Sequence, residues 1–417
     1  MNTQKSFSAI FTLLLSSLLL FSCGGGTENT NQTLSTGTWR AVIQTQGVEV
    51  PFNFEVSPVE NGKYAITLIN GEERLLADEV APKGDSLYIQ MHIFDASIRA
   101  KITSEGLTGT WSKDYVEDYI LPFSATPNNE TRFEVAAETS PEDFSGEWAI
   151  TITKDDGKSY PALGIFEQNG QEISGTVMTN TGDYRYLVGN VSGKSLYLST
   201  FDGEHAYLFK ATKNDDETLK GEFFLGKTGY RTWEAKRDST FSLSDSYTLT
   251  YLKEGYDKFD FTFKNMTGED VSLSDPKYQG KVVLVQIFGT WCPNCMDETK
   301  YLAKWYEENK DRGVEIIALS FEQKNDYDYA KSRISRIQER IGAKYEFLFA
   351  GSSDNEEAAK SLPMLNAVVS FPTLIYVDKK GEVAKIHTGF SGPGTGSYYD
   401  KWVKEHNELV DGLLGQE

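Results

Sequence analysis

Two cysteines three positions apart, in Trp291-Cys292-Pro293-Asn294-Cys295, are the residues best suited to chemistry in this sequence. A Cys-x-x-Cys pair admits three uses: half of a zinc site, a structural disulfide, or a dithiol that cycles with its disulfide. Zinc needs a second pair of Cys or His ligands, and none has suitable spacing, because His387 and His406 fall in different predicted elements. The position of the pair favours the redox use, since an apolar run precedes it and a helical pattern follows. The unpaired N–H groups and the dipole at a helix start stabilise a thiolate. Pro293 suits the first helical position, where its missing N–H costs nothing. Cys292 is then the cap-like, partly exposed attacking sulfur, and Cys295, one turn later, the deeper resolving thiol. No cofactor is expected beyond the redox-active Cys292–Cys295 disulfide itself.

The elements that would hold this pair follow from hydrophobic pattern. Residues 281–288 are apolar apart from Lys281 and Gln286, as in a strand buried on both faces of an α/β sheet. Over 293–309, Cys295, Thr299, Leu302 and Tyr306 recur at helical spacing. Further strands are expected at 314–320, 345–350, 372–377 and 383–388, and helices at 327–341, 355–362 and 398–414. Strands alternating with helices predict a layered α/β unit, which we assign to residues 250–417.

The preceding two hundred residues read differently. Short alternating runs such as Ser195-Leu196-Tyr197-Leu198-Ser199 are separated by turn pairs, among them Asn61-Gly62, Asn70-Gly71, Asp156-Gly157 and Asn169-Gly170. The pattern predicts antiparallel barrels or sandwiches. It also repeats. Gly37-Thr38-Trp39 recurs as Gly146-Glu147-Trp148, Ser86-Leu87-Tyr88 as Ser195-Leu196-Tyr197, and Leu107-Thr108-Gly109 as Leu219-Lys220-Gly221. We therefore expect a β-rich domain at 37–127 and its duplicate at 140–238. The fold class is multidomain: two antiparallel β units followed by an α/β unit. Barrels of this kind can enclose a small ligand. The plainer reading is that their aromatic residues form the core.

Before residue 37 the chain carries targeting signals. Lys5 precedes an apolar stretch from Phe7 to Phe21 that is short for a membrane span and suits a signal peptide at 1–22. It ends in Leu20-Phe21-Ser22-Cys23, which resembles a bacterial lipobox with Cys23 as the lipidated residue. Residues 23–36 read as a flexible tether. These features predict a cell-envelope protein, lipid-anchored to a membrane and facing the periplasm or the cell surface. With 61 acidic residues against 41 Lys and Arg, the formal net charge is −20, which argues against a nucleic-acid partner.

From Asp260 onward the sequence resembles the TlpA/ResA branch of the thioredoxin family. The resemblance is carried by Asp260-Phe261-Thr262-Phe263, Gly280-Lys281-Val282-Val283-Leu284-Val285, Phe288-Gly289-Thr290-Trp291-Cys292, Gly313-Val314-Glu315-Ile316-Ile317-Ala318 and Phe371-Pro372-Thr373-Leu374-Ile375. It implies a thioredoxin-like fold and thiol–disulfide oxidoreductase activity at Trp291, Cys292 and Cys295. It also implies that Pro372 is the cis-proline beside the redox pair. Glu298 matches a glutamate that tunes thiol acidity in that branch, with a solvated helix charge as the alternative. Gln286 stands where thioredoxin has a titrating aspartate, so proton transfer at Cys295 would need water, Glu298 or another group. The implied partners are protein substrates with disulfides and a membrane electron donor. An isomerase or oxidase using the same site remains open, as does a ligand-binding lipoprotein working through its β repeats. A peroxidase is disfavoured, because Gly289 stands where peroxiredoxin-like proteins keep a threonine.

Overall fold

A computed structural model describes residues 34–416, apart from 61, 62, 78, 84, 137–139 and 257. The expected leader, Cys23, most of the tether and the Asn61-Gly62 turn lie outside the described residues.

Two nine-stranded antiparallel sheets make up the N-terminal part. In the first, Gly37–Thr45 lies centrally between Val48–Val59 and Ile120–Pro127, and the sheet ends on Glu73–Ala77 and Val80–Lys83. In the second, Gly146–Lys154 lies between Ser159–Asn169 and Gly229–Arg237 in the same manner. Here Ser159–Asn169 also pairs with Glu172–Thr179, which closes the sheet into a ring. Alternation accounts for both curled sheets. Along Ile120–Pro127 and Leu187–Ser192 every second side chain is buried, so each strand offers one apolar face to an interior.

The sequence repeats coincide with repeated geometry. Trp39 and Trp148 each donate the indole N–H to the carbonyl four residues earlier, Ser35 at 2.9 Å and Phe144 at 2.8 Å. Gly109 and Gly221 each lie against a neighbouring strand, where a Cβ would collide with the carbonyl oxygen of Arg99 or Lys210. The interiors are filled by aromatic side chains. In the second sheet Phe209 stacks on Phe223 at 3.8 Å between centroids. In the first, Phe52 and Trp111 receive Phe201 from the second sheet, at 4.3 and 5.2 Å between ring centroids. The Trp111 indole also donates to the Gly203 carbonyl at 3.2 Å. A turn of one repeat thus plugs the interior of the other.

The C-terminal part is a seven-stranded mixed sheet. Val282–Phe288 pairs in parallel with Val314–Glu322, which pairs in parallel with Glu346–Ser352. Thr373–Val377 runs antiparallel on the other side of Val282–Phe288 and continues to Val383–Thr388. Leu284 and Phe288 face one apolar cluster, and Val283, Val285 and Ile287 face another, so the central strand is buried on both sides. Four helices accompany the sheet: α1 (Pro293–Asn309), α2 (Tyr327–Ile341), α3 (Asn355–Ser361) and α4 (Ser397–Leu414).

The second predicted strand runs two residues beyond its expected end. Glu322, a charge that should stop a buried strand, is held by Thr290 and Ser320 inside the fold. The β sheets also grip this domain. Tyr329 and Arg336 of α2 bond Asp95 Oδ2 at 3.0 Å and the His92 carbonyl at 2.9 Å, both on a turn of the first sheet. Among the described residues no helix is long and apolar enough to cross a membrane.

Candidate functional site

The central strand delivers the chain to the cysteines through Gly289-Thr290-Trp291. A side chain at Gly289 would collide with the Trp291 indole, so glycine there lets the tryptophan fold back. The Trp291 indole N–H donates to the Phe321 carbonyl at 3.0 Å. Thr290 donates its N–H and hydroxyl to the Glu322 carboxylate at 3.2 and 2.6 Å. Burial pushes the Glu322 carboxyl up to about 6, against the opposing hydrogen bonds from Ser320 and Thr290.

Cys292 then caps α1: its sulfur accepts the N–H of Cys295 at 3.2 Å. The two cysteines form a disulfide with their Cα atoms 5.2 Å apart. Cys295 is 0% exposed and Cys292 only 6%, so the expected attacking sulfur is more enclosed than helix-start geometry alone implies. The Phe371–Pro372 peptide is cis. Antiparallel pairing of Thr373 with Ile287 brings this bond alongside the pair, with the Phe371 carbonyl 3.5 Å from the Cys292 sulfur. The Trp291 ring meets Phe371 edge-on at 5.6 Å. Trp291 and the Phe371–Pro372 bond therefore lie beside the Cys292–Cys295 pair, and Glu298 lies one helical turn after Cys295.

Glu298 is not a solvated charge. It is 0% exposed, on the buried face of α1 one turn after Cys295. One carboxylate oxygen accepts the Gln286 side-chain N–H at 2.8 Å, and Gln286 in turn accepts from the Thr299 hydroxyl at 3.3 Å. The other oxygen has no hydrogen-bond partner among the described residues. Burial pushes this carboxyl up to about 8, opposed by the Gln286 bond. Gln286 thus orients the Glu298 carboxyl with a neutral donor.

Sequence reasoning missed the groups that enclose the site. Glu322 had a faint signal, a carboxylate closing an apolar strand. Arg185, Thr181 and Asp183 had none, because they belong to the second β sheet. Arg185 donates to the Pro293 carbonyl, inside the Cys-x-x-Cys segment, at 3.0 Å. It also pairs with Asp297 of α1, with Glu73 of the first sheet, and with Asp202 at 3.7 Å. Burial alone would weaken its hold on the proton, but Asp297, Glu73 and Asp202 outweigh that and raise its pKa well above the usual value. No group of three or more His, Cys, Asp or Glu side chains that could hold a metal occurs among the described residues.

A family model described as Redoxin matches residues 255–401. The chain is 28% identical over 160 residues to a protein named thiol-disulfide oxidoreductase ResA from Halalkalibacterium halodurans, covering 38% of this chain and 77% of that one. A ResA of Bacillus subtilis is 28% identical over 138 residues, covering 33% and 69% respectively. Among solved structures, the thioredoxin domain of a thiol-disulfide oxidoreductase from Bacteroides vulgatus is 25% identical, spanning 37% of this chain and 99% of that one with a TM-score of 0.27.

Proposed function

The C-terminal domain is a redoxin-type, TlpA/ResA-like thiol–disulfide oxidoreductase domain, and from it we propose that the whole chain is a membrane-anchored, extracytoplasmic reductase of protein disulfides. The observation that carries the reading is the Cys292–Cys295 disulfide at the start of α1, beside Phe371 and Pro372. In the reduced protein the Cys292 thiolate attacks one sulfur of a substrate disulfide. A new S–S bond forms, and the other substrate sulfur leaves as a thiolate. Cys295, deprotonated, then attacks Cys292, which releases the second substrate thiolate and leaves the Cys292–Cys295 disulfide. Both electrons end on the substrate, and a membrane electron donor outside the cytoplasm restores the dithiol. Trp291 and Pro372 flank the attacking sulfur, and Cys23 carries the lipid.

The reduction potential of the pair tests this direction. A value near about −250 mV or lower, at the thioredoxin end of the scale, supports a reductase. A value of about −120 to −180 mV reverses the arrow and favours the isomerase or oxidase that the same site could serve.

In this reading Glu298 is the group that exchanges the Cys295 proton, since it lies one helical turn away in the same dry interior. With its folded pKa raised above the ordinary glutamate value, the native state keeps a proton that the unfolded chain releases. The glutamate therefore costs stability progressively between about pH 4.5 and pH 8. Glu298→Gln is expected to raise stability at pH 7 by about 1–3 kcal/mol, with little effect below pH 4. The exchange rate of the variant is expected to lose an inflection near pH 8. Denaturation and pH–rate curves measured together check both effects, and an unchanged pH–rate curve would remove Glu298 from the proton path.

A further inference from the structure

Strands Glu172–Thr179 and Gly182–Asp183 of the second β sheet form a tight hairpin with Asn180 and Thr181 at its tip. This hairpin lies on the redox site. The Ser370 hydroxyl, two residues before Pro372, donates to the Thr181 carbonyl at 2.8 Å. The side-chain N–H of Asn294, between the two cysteines, donates to the Asp183 carbonyl at 3.1 Å. The approach is close on both sides. A Cβ at Gly389 would lie 2.8 Å from the Thr181 carbonyl carbon, and one at Gly182 would lie 2.8 Å from the Asn294 amide nitrogen.

The hairpin is also pinned. Asn180 accepts the Ser244 N–H at 3.0 Å, and Asp183 accepts the Gly392 N–H at 2.8 Å. Just beyond it, Arg185 is locked among Glu73, Asp202 and Asp297. A segment held by buried charge and backbone contact stays in place as a wall. It stands against Asn294 and Ser370, next to Cys292, which is 6% exposed, while Trp291, Phe371 and the Thr181 tip keep exposed surface.

We propose that the Thr179–Arg185 hairpin determines which disulfides reach Cys292, admitting those on extended or unfolded polypeptide and excluding those on the broad surface of a folded protein. The proposal rests on the dithiol-exchange reading above. A single extended strand is narrow, with neighbours spaced about 4.8 Å apart, and can pass along the Trp291–Phe371 side. A folded partner needs a flat face around the sulfur, and the hairpin stands on that face. Specificity here comes from obstructing the wrong partner as much as from binding the right one.

The test uses the reduced full chain and three oxidants: glutathione disulfide, a linear disulfide-linked peptide dimer, and folded insulin. The unaltered chain is expected to reduce the peptide at least about tenfold faster than insulin. The triple variant Arg185→Met, Glu73→Gln, Asp297→Asn removes the guanidinium and two of its three carboxylate partners, leaving Asp202 beside His205 at 3.3 Å. It is expected to raise the insulin rate about tenfold and to change the peptide rate by less than about twofold. Thr181→Trp adds bulk at the exposed tip, away from the core. It is expected to lower the peptide rate about fivefold and to leave glutathione disulfide within about twofold, which keeps the proposal testable should the triple variant not fold. Equal peptide and insulin rates in the unaltered chain, or rates unmoved by Thr181→Trp, overturn the proposal. No exchange with glutathione disulfide in the unaltered chain overturns the dithiol reading instead.

Discussion

Cys292→Ser is expected to lower the disulfide-exchange rate by about a thousandfold or more, because only a thiolate attacks a disulfide sulfur and Cys295 is wholly enclosed. Cys295→Ser is expected to behave differently. Attack by Cys292 still proceeds, but the mixed disulfide with substrate has no internal thiol to resolve it and accumulates. Non-reducing electrophoresis and mass spectrometry of the two variants, each incubated with the peptide dimer, separate these outcomes. The assignment rests on geometry: Cys292 accepts an N–H from the first turn of α1, which favours negative charge on its sulfur, whereas Cys295 lies within the helix. Adduct on Cys295 in the absence of Cys292 would sink it.

Arg185→Met is expected to destabilise the chain by about 3–5 kcal/mol at pH 7, since it takes from three buried carboxylates the guanidinium they share and leaves Glu73 with no ion-pair partner among the described residues. The guanidinium is 6% exposed and joins Glu73, Asp202 and Asp297, which come from both β sheets and from the helix that follows the cysteines. Breaking such a group by removing one member is far costlier than replacing the whole by neutral residues. Adding Glu73→Gln and Asp297→Asn to Arg185→Met should therefore recover much of the loss. Denaturant unfolding of the single and triple variants measures the difference. A single variant within about 0.5 kcal/mol of the unaltered chain would mean that water or a shift of the hairpin already screens these charges.

Much of the molecule is legible in the sequence. The α/β elements were readable because periodicity is local: the apolar run of the central strand is buried on both faces, and the helical spacing from Cys295 onward marks the inner face of α1. The placement of the cysteines followed from Pro293 and the strand-to-helix change. Repeated Gly-x-Trp openings announced two similar sheets, each carrying the same indole-to-carbonyl bond. In the sheets themselves, alternation specified strands but not closure. Whether Ser159–Asn169 meets Glu172–Thr179 to complete a ring depends on pairing and register across the whole sheet.

Sequence by itself determined the residues that can carry a redox reaction and the secondary structure that brings them together, because a helix start and a neighbouring antiparallel strand are sufficient for that. It also carried the resemblance to the TlpA/ResA branch. Tertiary structure alone decided how exposed those residues are. Glu298 reads either as a glutamate that tunes thiol acidity or as a solvated helix charge, and only the fold buries it against Gln286, where loss of hydration pushes its pKa up to about 8. The residues that flank the Cys-x-x-Cys segment likewise come from about a hundred positions earlier: Thr181, Asp183 and Arg185 bond Ser370, Asn294 and the Pro293 carbonyl. Short-range pattern carries no trace of such contacts, because their free energy exists only once separate sheets have packed against the redox domain.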